Sequence, residues 1–345
     1  MTIMRKITVS APGKLMLFGE HAVVYGEPCL VTAVDSRLQV AITPSESEQI
    51  IIETPQSKDT RFVEAAIRVF SHSSLVVRGI KITTHSPFSG KFGFGSSSAV
   101  TVATLKALSV YFNTPVSSKE LFDLSFQVIS QVQGVGSGFD VAAASFGGTL
   151  YFKKGGAILE PLNNIFSSDS GQARMTNEDI TIVVGYSGVK SNTVELVKQV
   201  AKLREQNKKD FDSLMQAIGK LVTEAKAVLL QKNWLKLGKL MNTNQDYLRK
   251  LGISTNILEK PIQAAMQAGA LGAKLSGAGG GDCMIALVDL AHKAAVEHAI
   301  TQAGGTIIPV SIHAPGVREE NSQEKAVTGK REVNYSLLFP SATSL

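Results

Sequence analysis

A chain of 345 residues, 44% hydrophobic and carrying 30 glycines, is long enough to bury a sizeable core as two domains or one large one. Two distant cysteines, Cys29 and Cys283, exclude a disulfide framework or a zinc knuckle; Met1–Lys6 lacks the apolar run of a signal peptide, and no window reaches the roughly 18 apolar residues of a membrane helix, so a globular cytoplasmic protein is expected. The net charge of +6 is not gathered into a stripe with interleaved aromatics, and even Lys202–Asp210 mixes both signs as a solvated face does, which favours a small polyanionic ligand over nucleic acid.

Lys6–Ser10 alternates as a strand does and runs into Ala11-Pro-Gly-Lys14, read as a turn that delivers a lysine. Leu15–Gly26 is an apolar run broken by Gly19, Glu20 and His21. A carboxylate and an imidazole inside such a run are costly unless paired or used. Glu20 is thus a strand end, a buried ion pair or a site residue, and His21 a hydrogen-bonded core histidine or a site residue. Cys29–Val34 and Leu38–Thr43 read as two β segments joined around Asp35-Ser36-Arg37, followed by a short apolar run over Gln49–Glu53. Phe62–Phe70 has helical spacing and Gly79–Thr84 returns to strand, so this part of the chain is mostly antiparallel-looking β.

Lys91–Ala99, Lys-Phe-Gly-Phe-Gly-Ser-Ser-Ser-Ala, opens the first long helix. Gly93 and Gly95 let the backbone approach an anion, and Ser96, Ser97 or Ser98 can cap a helix whose first N–H groups then offer a phosphate seat. On its own the stretch is equally an ordinary glycine turn. Asn113-Thr-Pro ends that helix, and Ser117 with Glu120 forms a capping box for another reaching Ile129. Three glycines in Gln133–Asp140 then deliver Asp140 onto a small-residue helix, either as a dipole-stabilised first-turn acid or as a catalytic group.

Further on, Gly147-Gly148 precedes a strand over Thr149–Phe152, and Asn163–Asn177 reads as a loop. Ile180–Gly185 is a strand, and Tyr186–Thr193 is a polar turn capping a helix from Val194. Helices follow over Phe211–Leu230, Trp234–Leu251 with Gly252 as its stop, and near Leu258–Gln267. Ala273–Asp282 forms a second glycine-rich loop, with strands over Cys283–Val288 and Thr306–Ile312 around a helix at Ala291–Gln302, a βαβ-containing α+β unit. Glu319–Leu345 reads as a polar tail.

No stretch matches the Walker pattern, since none of the lysines that follow a glycine (14, 91, 220, 239 and 330) is followed by Ser or Thr. The dinucleotide fingerprint fails at Ser98, and protein-kinase signatures are absent. Ala11–Lys14, Gly93–Ser98 and Lys274–Gly281 do resemble, in order, the three motifs of the GHMP small-molecule kinases, and the likeness spans about Val9 to Val317. Within that superfamily Gly19–Gly26, Met241-Asn-x-Asn244, Leu251–Ser254 and Gly269–Lys274 are most similar to mevalonate kinases.

The resemblance implies an α+β, two-domain GHMP kinase fold: an N-terminal domain like ribosomal protein S5 domain 2 over 1–182, a ferredoxin-like C-terminal domain over 183–318, and the tail 319–345. It implies ATP and Mg²⁺ as cofactors, mevalonate as the substrate phosphorylated on its 5-hydroxyl, and a homodimer. Carried over by position, Gly93, Phe94, Gly95, Ser96, Ser97 and Ser98 bind ATP, with Ser97 reaching the metal; Asp140 is the base, and Lys14 stabilises the reacting oxygen. Glu20, His21, Tyr186 and Thr193 match the substrate pocket, and Gly277, Ala278 and Gly279 steady the nucleotide end and the substrate mouth. Two departures stand out. Ile129 occupies the position of a second metal ligand, a glutamate in many mevalonate kinases, and both Gly136–Asp140 and Asp282 are similar to phosphomevalonate kinases, for which Lys190 could serve a second phosphate. Phosphomevalonate kinase is therefore the alternative within the class, and a catalytically inactive ligand sensor the alternative outside it.

Overall fold

The computed structural model describes residues 6–71, 76–86, 92–134, 136–163, 165 and 180–320. The loop expected over Asn163–Asn177 lies outside the described residues except at positions 163 and 165, as does the tail beyond 320.

Two sheets form two domains. In the first, β1 (Ile7–Phe18), β2 (Cys29–Pro44), β3 (Ile50–Glu53) and β4 (Ile80–His85) combine with β5 (Thr149–Lys153), β6 (Ile158–Leu162) and a last short strand from the far end of the chain. All pairs are antiparallel except β3 with β4. The expected turn at Ala11–Lys14 is instead the middle of β1. Its register against β2 slips between Pro12, opposite Arg37, and Gly13, opposite Val34, so the Pro-Gly pair continues the strand and the unmatched residues, Asp35 and Ser36, bulge on β2. The two β segments expected on either side of Asp35-Ser36-Arg37 are likewise one strand. Residues 29–32 of β2 pair with β5 and 39–44 with β4, and the polar middle is satisfied from outside the sheet. Asp35 exchanges bonds with the Ser311 backbone, and the Arg37 guanidinium donates to Ser10 and to the Pro315 and Gly316 carbonyls.

On this sheet lie α1 (Arg61–Phe70), α2 (Ser96–Tyr111), α3 (Ser118–Gln133) and α4 (Phe139–Phe146). Helix α2 packs on β1 and β2 with the other three around it, which is why its sequence is small or apolar on nearly every side. The capping box of Ser117 and Glu120 forms at the start of α3.

The second sheet places β7 (Ile180–Tyr186), β8 (Gly272–Ser276), β9 (Cys283–Asp289) and β10 (Thr306–Ile307) in the antiparallel order β10-β7-β9-β8. Helices α5 (Thr193–Gln206), α6 (Lys208–Leu230), α7 (Trp234–Lys250) and α8 (Asn256–Gln267) join β7 to β8, and α9 (Lys293–Gln302) joins β9 to β10. That is the split arrangement of a ferredoxin-like unit. The strand expected over Thr306–Ile312 stops at Ile307, because the chain then leaves this sheet: Ile312 bridges Val34, Pro315 bridges Gly147, and β11 (Arg318–Glu319) pairs with Val9 and Ser10 of β1. Glu319, expected in the tail, is thus an edge strand of the first sheet. Among the described residues no helix is long and apolar enough to cross a membrane.

Candidate active site

Between the two sheets lies a cleft of about 540 Å³ whose wall includes Lys14, Glu20, His21, Gly93, Gly95, Ser96, Ser97, Asp140, Thr193, Gly277 and Ala278. Eleven of the residues singled out in the sequence therefore meet, although they come from β1, the turn after it, the first glycine loop and the start of α2, α4, α5 and the third motif.

One wall is built on the edge of β1. The Lys14 N–H donates to the Phe94 carbonyl at 3.0 Å, and the Lys14 ammonium donates to the Gly93 carbonyl at 2.9 Å. Gly95, at φ +76°, caps α2 in the left-handed region that glycine adopts without strain. A Cβ there would lie 3.3 Å from Lys14 Cε and 3.4 Å from Asp140 Cβ, so this glycine is the point at which Lys14, Asp140 and the loop converge. The serines do not cap the helix as expected; they form its first turn. The first helical bond runs from Ala99 N–H to Gly95, which leaves the amides of residues 96–98 ahead of it at the positive end of the dipole. Asp140 sits in the first turn of α4 behind left-handed Gly138, and its carboxylate accepts from the Val141 N–H at 3.1 Å.

Opposite lies the loop between β8 and β9. Asp282 is buried, accepts from the Ser191 N–H at 3.0 Å and pairs with Lys190 at 3.2 Å. Gly93 has no side chain because Asp282 Oδ2 would be 2.5 Å from its Cβ. Burial pushes the Lys14 ammonium below the ordinary lysine value and Lys190 adds to that, while the Asp140 and Asp282 carboxylates pull it back up.

At the floor, Glu20 and Lys274 form a completely buried ion pair between the two domains. The second Glu20 oxygen accepts from Asn244 of α7 at 3.1 Å. Of the readings open for Glu20 in the sequence, the buried pair is realised, on the wall of the cleft. Its neighbour His21 donates through Nε2 to the Ala278 carbonyl at 2.9 Å, and burial holds its imidazole below the ordinary histidine value.

Four expected residues stand apart from the cleft wall. Phe94 and Ser98 point into the core, the Ser98 hydroxyl having no hydrogen-bond partner among the described residues. Tyr186 is buried beneath the site with its ring edge-on to Phe92 at 5.1 Å. Gly279 packs against the Ile253 carbonyl, 2.4 Å from where its Cβ would be. Phe94 turns its ring inward from the loop between the two cleft-wall glycines, and Ser98 lies on the buried side of the first turn of α2. Residues that the sequence left in the background also contribute, notably Lys274 as the partner of Glu20. Asp282 and Lys190 were marked there only as a likeness to another acceptor. Their pairing with one another could not be read locally, since 92 positions separate them.

Among the described residues no group of three or more His, Cys, Asp or Glu side chains could hold a metal ion. Of the carboxylates on the cleft wall Glu20 is paired with Lys274 and Asp282 with Lys190, which leaves Asp140 and the Ser97 hydroxyl, the latter accepting from Gln133 at 3.3 Å, while Ile129 is buried. Such a donor set fits a Mg²⁺ that arrives on phosphates and keeps its waters rather than an all-protein cage.

Two family descriptions match the chain: "GHMP kinases N terminal domain" over residues 61–148 and "GHMP kinases C terminal" over residues 225–306. A mevalonate kinase of Pyrococcus abyssi (strain GE5 / Orsay) is 36% identical over 349 residues, covering 93% of this chain and 99% of the relative. The Methanococcus jannaschii mevalonate kinase structure is similar with a TM-score of 0.75 at 26% identity, covering 91% of this chain and 99% of that one. A Streptococcus pneumoniae phosphomevalonate kinase, in complex with phosphomevalonate and AMPPNP, has a TM-score of 0.73 at 21% identity, covering 88% and 99%, a likeness of fold.

Proposed function

Because the chain belongs to the GHMP kinase family, within its mevalonate kinase group, we propose that its cleft transfers the γ-phosphoryl group of ATP to the 5-hydroxyl of mevalonate. The observation that carries the residue assignment is the convergence of Lys14 and Asp140 at Gly95, beside the open amides of α2.

Phosphoryl transfer asks for alignment and charge stabilisation more than for covalent help from the protein. The amides of residues 96–98 and the dipole of α2 seat the phosphates. Asp140 accepts the proton of the acceptor hydroxyl as that oxygen bonds to the γ-phosphorus, and the bond from phosphorus to the β–γ bridging oxygen breaks to release ADP. Lys14, held from behind by the Gly93 carbonyl, keeps its charge between donor and acceptor. Mg²⁺, held by Ser97 together with the phosphates, would supply neutralisation of their negative charge. His21 and Thr193 face the acceptor end, and the second glycine-rich loop closes the mouth.

Phosphomevalonate would bring a second phosphate and need cations to meet it. Among the described residues of the cleft wall, Lys190 pairs with Asp282 and Arg61 with Asp59, so the lysine and arginine side chains there beyond Lys14 already have carboxylate partners. The inactive-sensor reading is disfavoured by the presence of both Lys14 and Asp140. ADP release measured with mevalonate, phosphomevalonate, galactose and homoserine in parallel tests the assignment. Turnover on mevalonate is expected; turnover on phosphomevalonate alone would replace the acceptor, and silence on all four would favour a sensor.

A further inference from the structure

We propose that Ser276 is a positioning residue for phosphoryl transfer, clasping β1 so that Lys14 is set against both glycine loops; this rests on the kinase reading above. Strand β11 covers the outer edge of β1 only at Val9 and Ser10. Farther along, that edge is taken by the two glycine motifs. The Lys14 N–H donates to Phe94 of the first loop, and two residues on the Met16 N–H donates to the Ser276 hydroxyl at 3.0 Å, which itself donates to the Met16 carbonyl at 3.0 Å. One side chain thus satisfies both polar groups of a strand residue, the task a neighbouring strand would otherwise perform. Residues two apart on a strand share a face, so whatever holds Met16 also holds the backbone from which the Lys14 side chain enters the cleft.

The clasp has a firm base. β8 is the outermost strand of its sheet, and α7 satisfies its outer edge with side-chain amides: Asn242 accepts from the Ala273 N–H and Gln245 from the Leu275 N–H, each at 3.0 Å. Gln245 is in turn fixed by Ser254 and Glu259. From this braced strand Lys274 and Ser276, and from the loop just after it Ala278, reach the other domain at Glu20, Met16 and His21 respectively. Glu20 and His21 lie on the cleft wall; Ser276 is buried behind it and does not line it. Its influence on the reaction therefore passes through Met16.

The test uses the full chain carrying Ser276→Ala or Ser276→Thr. Steady-state kinetics with ATP and mevalonate are read beside the rate at which acetic anhydride labels Lys14, followed by peptide mass spectrometry. Displacements of the order of 1 Å cost about a hundredfold in rate. Ser276→Ala is expected to lower kcat about ten- to a hundredfold with KM for ATP within about twofold, and to label Lys14 several times faster as water reaches it. Ser276→Thr, which keeps the hydroxyl, is expected to restore both. If Ser276→Ala does not fold, Ser276→Cys, which weakens both bonds at similar volume, is read in the same way. Wild-type kcat and wild-type Lys14 labelling in a folded variant would overturn the proposal, whatever the melting temperature. A wild-type protein silent on mevalonate would instead overturn the kinase reading, and Lys14 labelling would still decide the clasp.

Discussion

Lys14 is buried among groups of both signs: Asp140 from α4, Asp282 from the loop between β8 and β9, Lys190 from the turn after β7 and the Cys283 thiol from β9. Burial prevails and holds its ammonium below the ordinary lysine value of 10.5. Between that lowered value and 10.5 the unfolded chain binds the proton that the folded chain has released, so over this window stability rises with pH. Activity runs the other way, because transfer uses the protonated amine. The alkaline limb of kcat/KM, which reports the free enzyme, is therefore expected below 10.5, and the limb of kcat at higher pH, since bound phosphates favour the charged form. Coincident limbs, or a limb unchanged in Lys14→Arg, would detach it from Lys14. Asp140→Asn and Lys14→Met should each lower kcat by about three orders of magnitude or more while leaving the ATP dissociation constant nearly as it was. The sequence marked both residues through the likeness of their motifs; local pattern alone left Asp140 open between a first-turn acid and a catalytic group, and set Lys14 on a turn that is in fact the middle of β1. Lys274 and Ser276 were not legible, since their partners lie more than 250 positions away.

At the scale of elements, helices with regular apolar spacing and a capping box read correctly, while β1 and β2 did not. Asp35-Ser36-Arg37 has the composition of a turn; β2 instead bulges at Asp35-Ser36 and continues, with the returning segment at residues 311–316 meeting the polar groups there. Ala11–Lys14 misleads similarly, since Pro-Gly signals a reversal unless the neighbouring strand absorbs it as a bulge. The glycine loop was legible as a loop–helix junction; the identity of its cap was not, because a left-handed glycine leaves no side-chain signal. Gly95 offers the element-scale prediction. An alanine there takes on a backbone at φ +76° and sets a methyl 3.3 Å from Lys14 Cε, so the loop, Lys14 and Asp140 must give way together. The cost in stability is expected near 1 kcal/mol. The loss of turnover should be far larger, at least about a hundredfold. Thermal unfolding and kcat measured on Gly95→Ala separate the two, and a variant that loses stability while keeping turnover would remove this glycine from the site.

At the scale of the molecule, the chain crosses between its sheets twice. It leaves the first domain at β7 and returns after β10 to lay β11 on β1. Apolar periodicity cannot show such a return, because a short edge strand has too few residues to display a pattern. The two domains are joined across the cleft by the Glu20–Lys274 pair, whose side chains are completely buried. A pair of this kind contributes little when replaced as a whole, yet breaking it from one side strands a charge away from water. Glu20→Gln and Lys274→Met are each expected to cost about 3–5 kcal/mol, more than most single substitutions. The double variant should cost clearly less than their sum, because neither charge then remains to be stranded. Asn244 supports the same carboxylate, so Asn244→Leu should cost less than either and lose most of its effect once Glu20 is already Gln. Chemical denaturation of the four variants and the Glu20→Gln/Asn244→Leu pair measures all of these couplings. Additive costs would mean that the pair is incidental to the docking of the domains, which would then rest on packing and on the Met16–Ser276 and His21–Ala278 hydrogen bonds; strong coupling would make the pair a joint that fixes where His21 and the second glycine-rich loop meet.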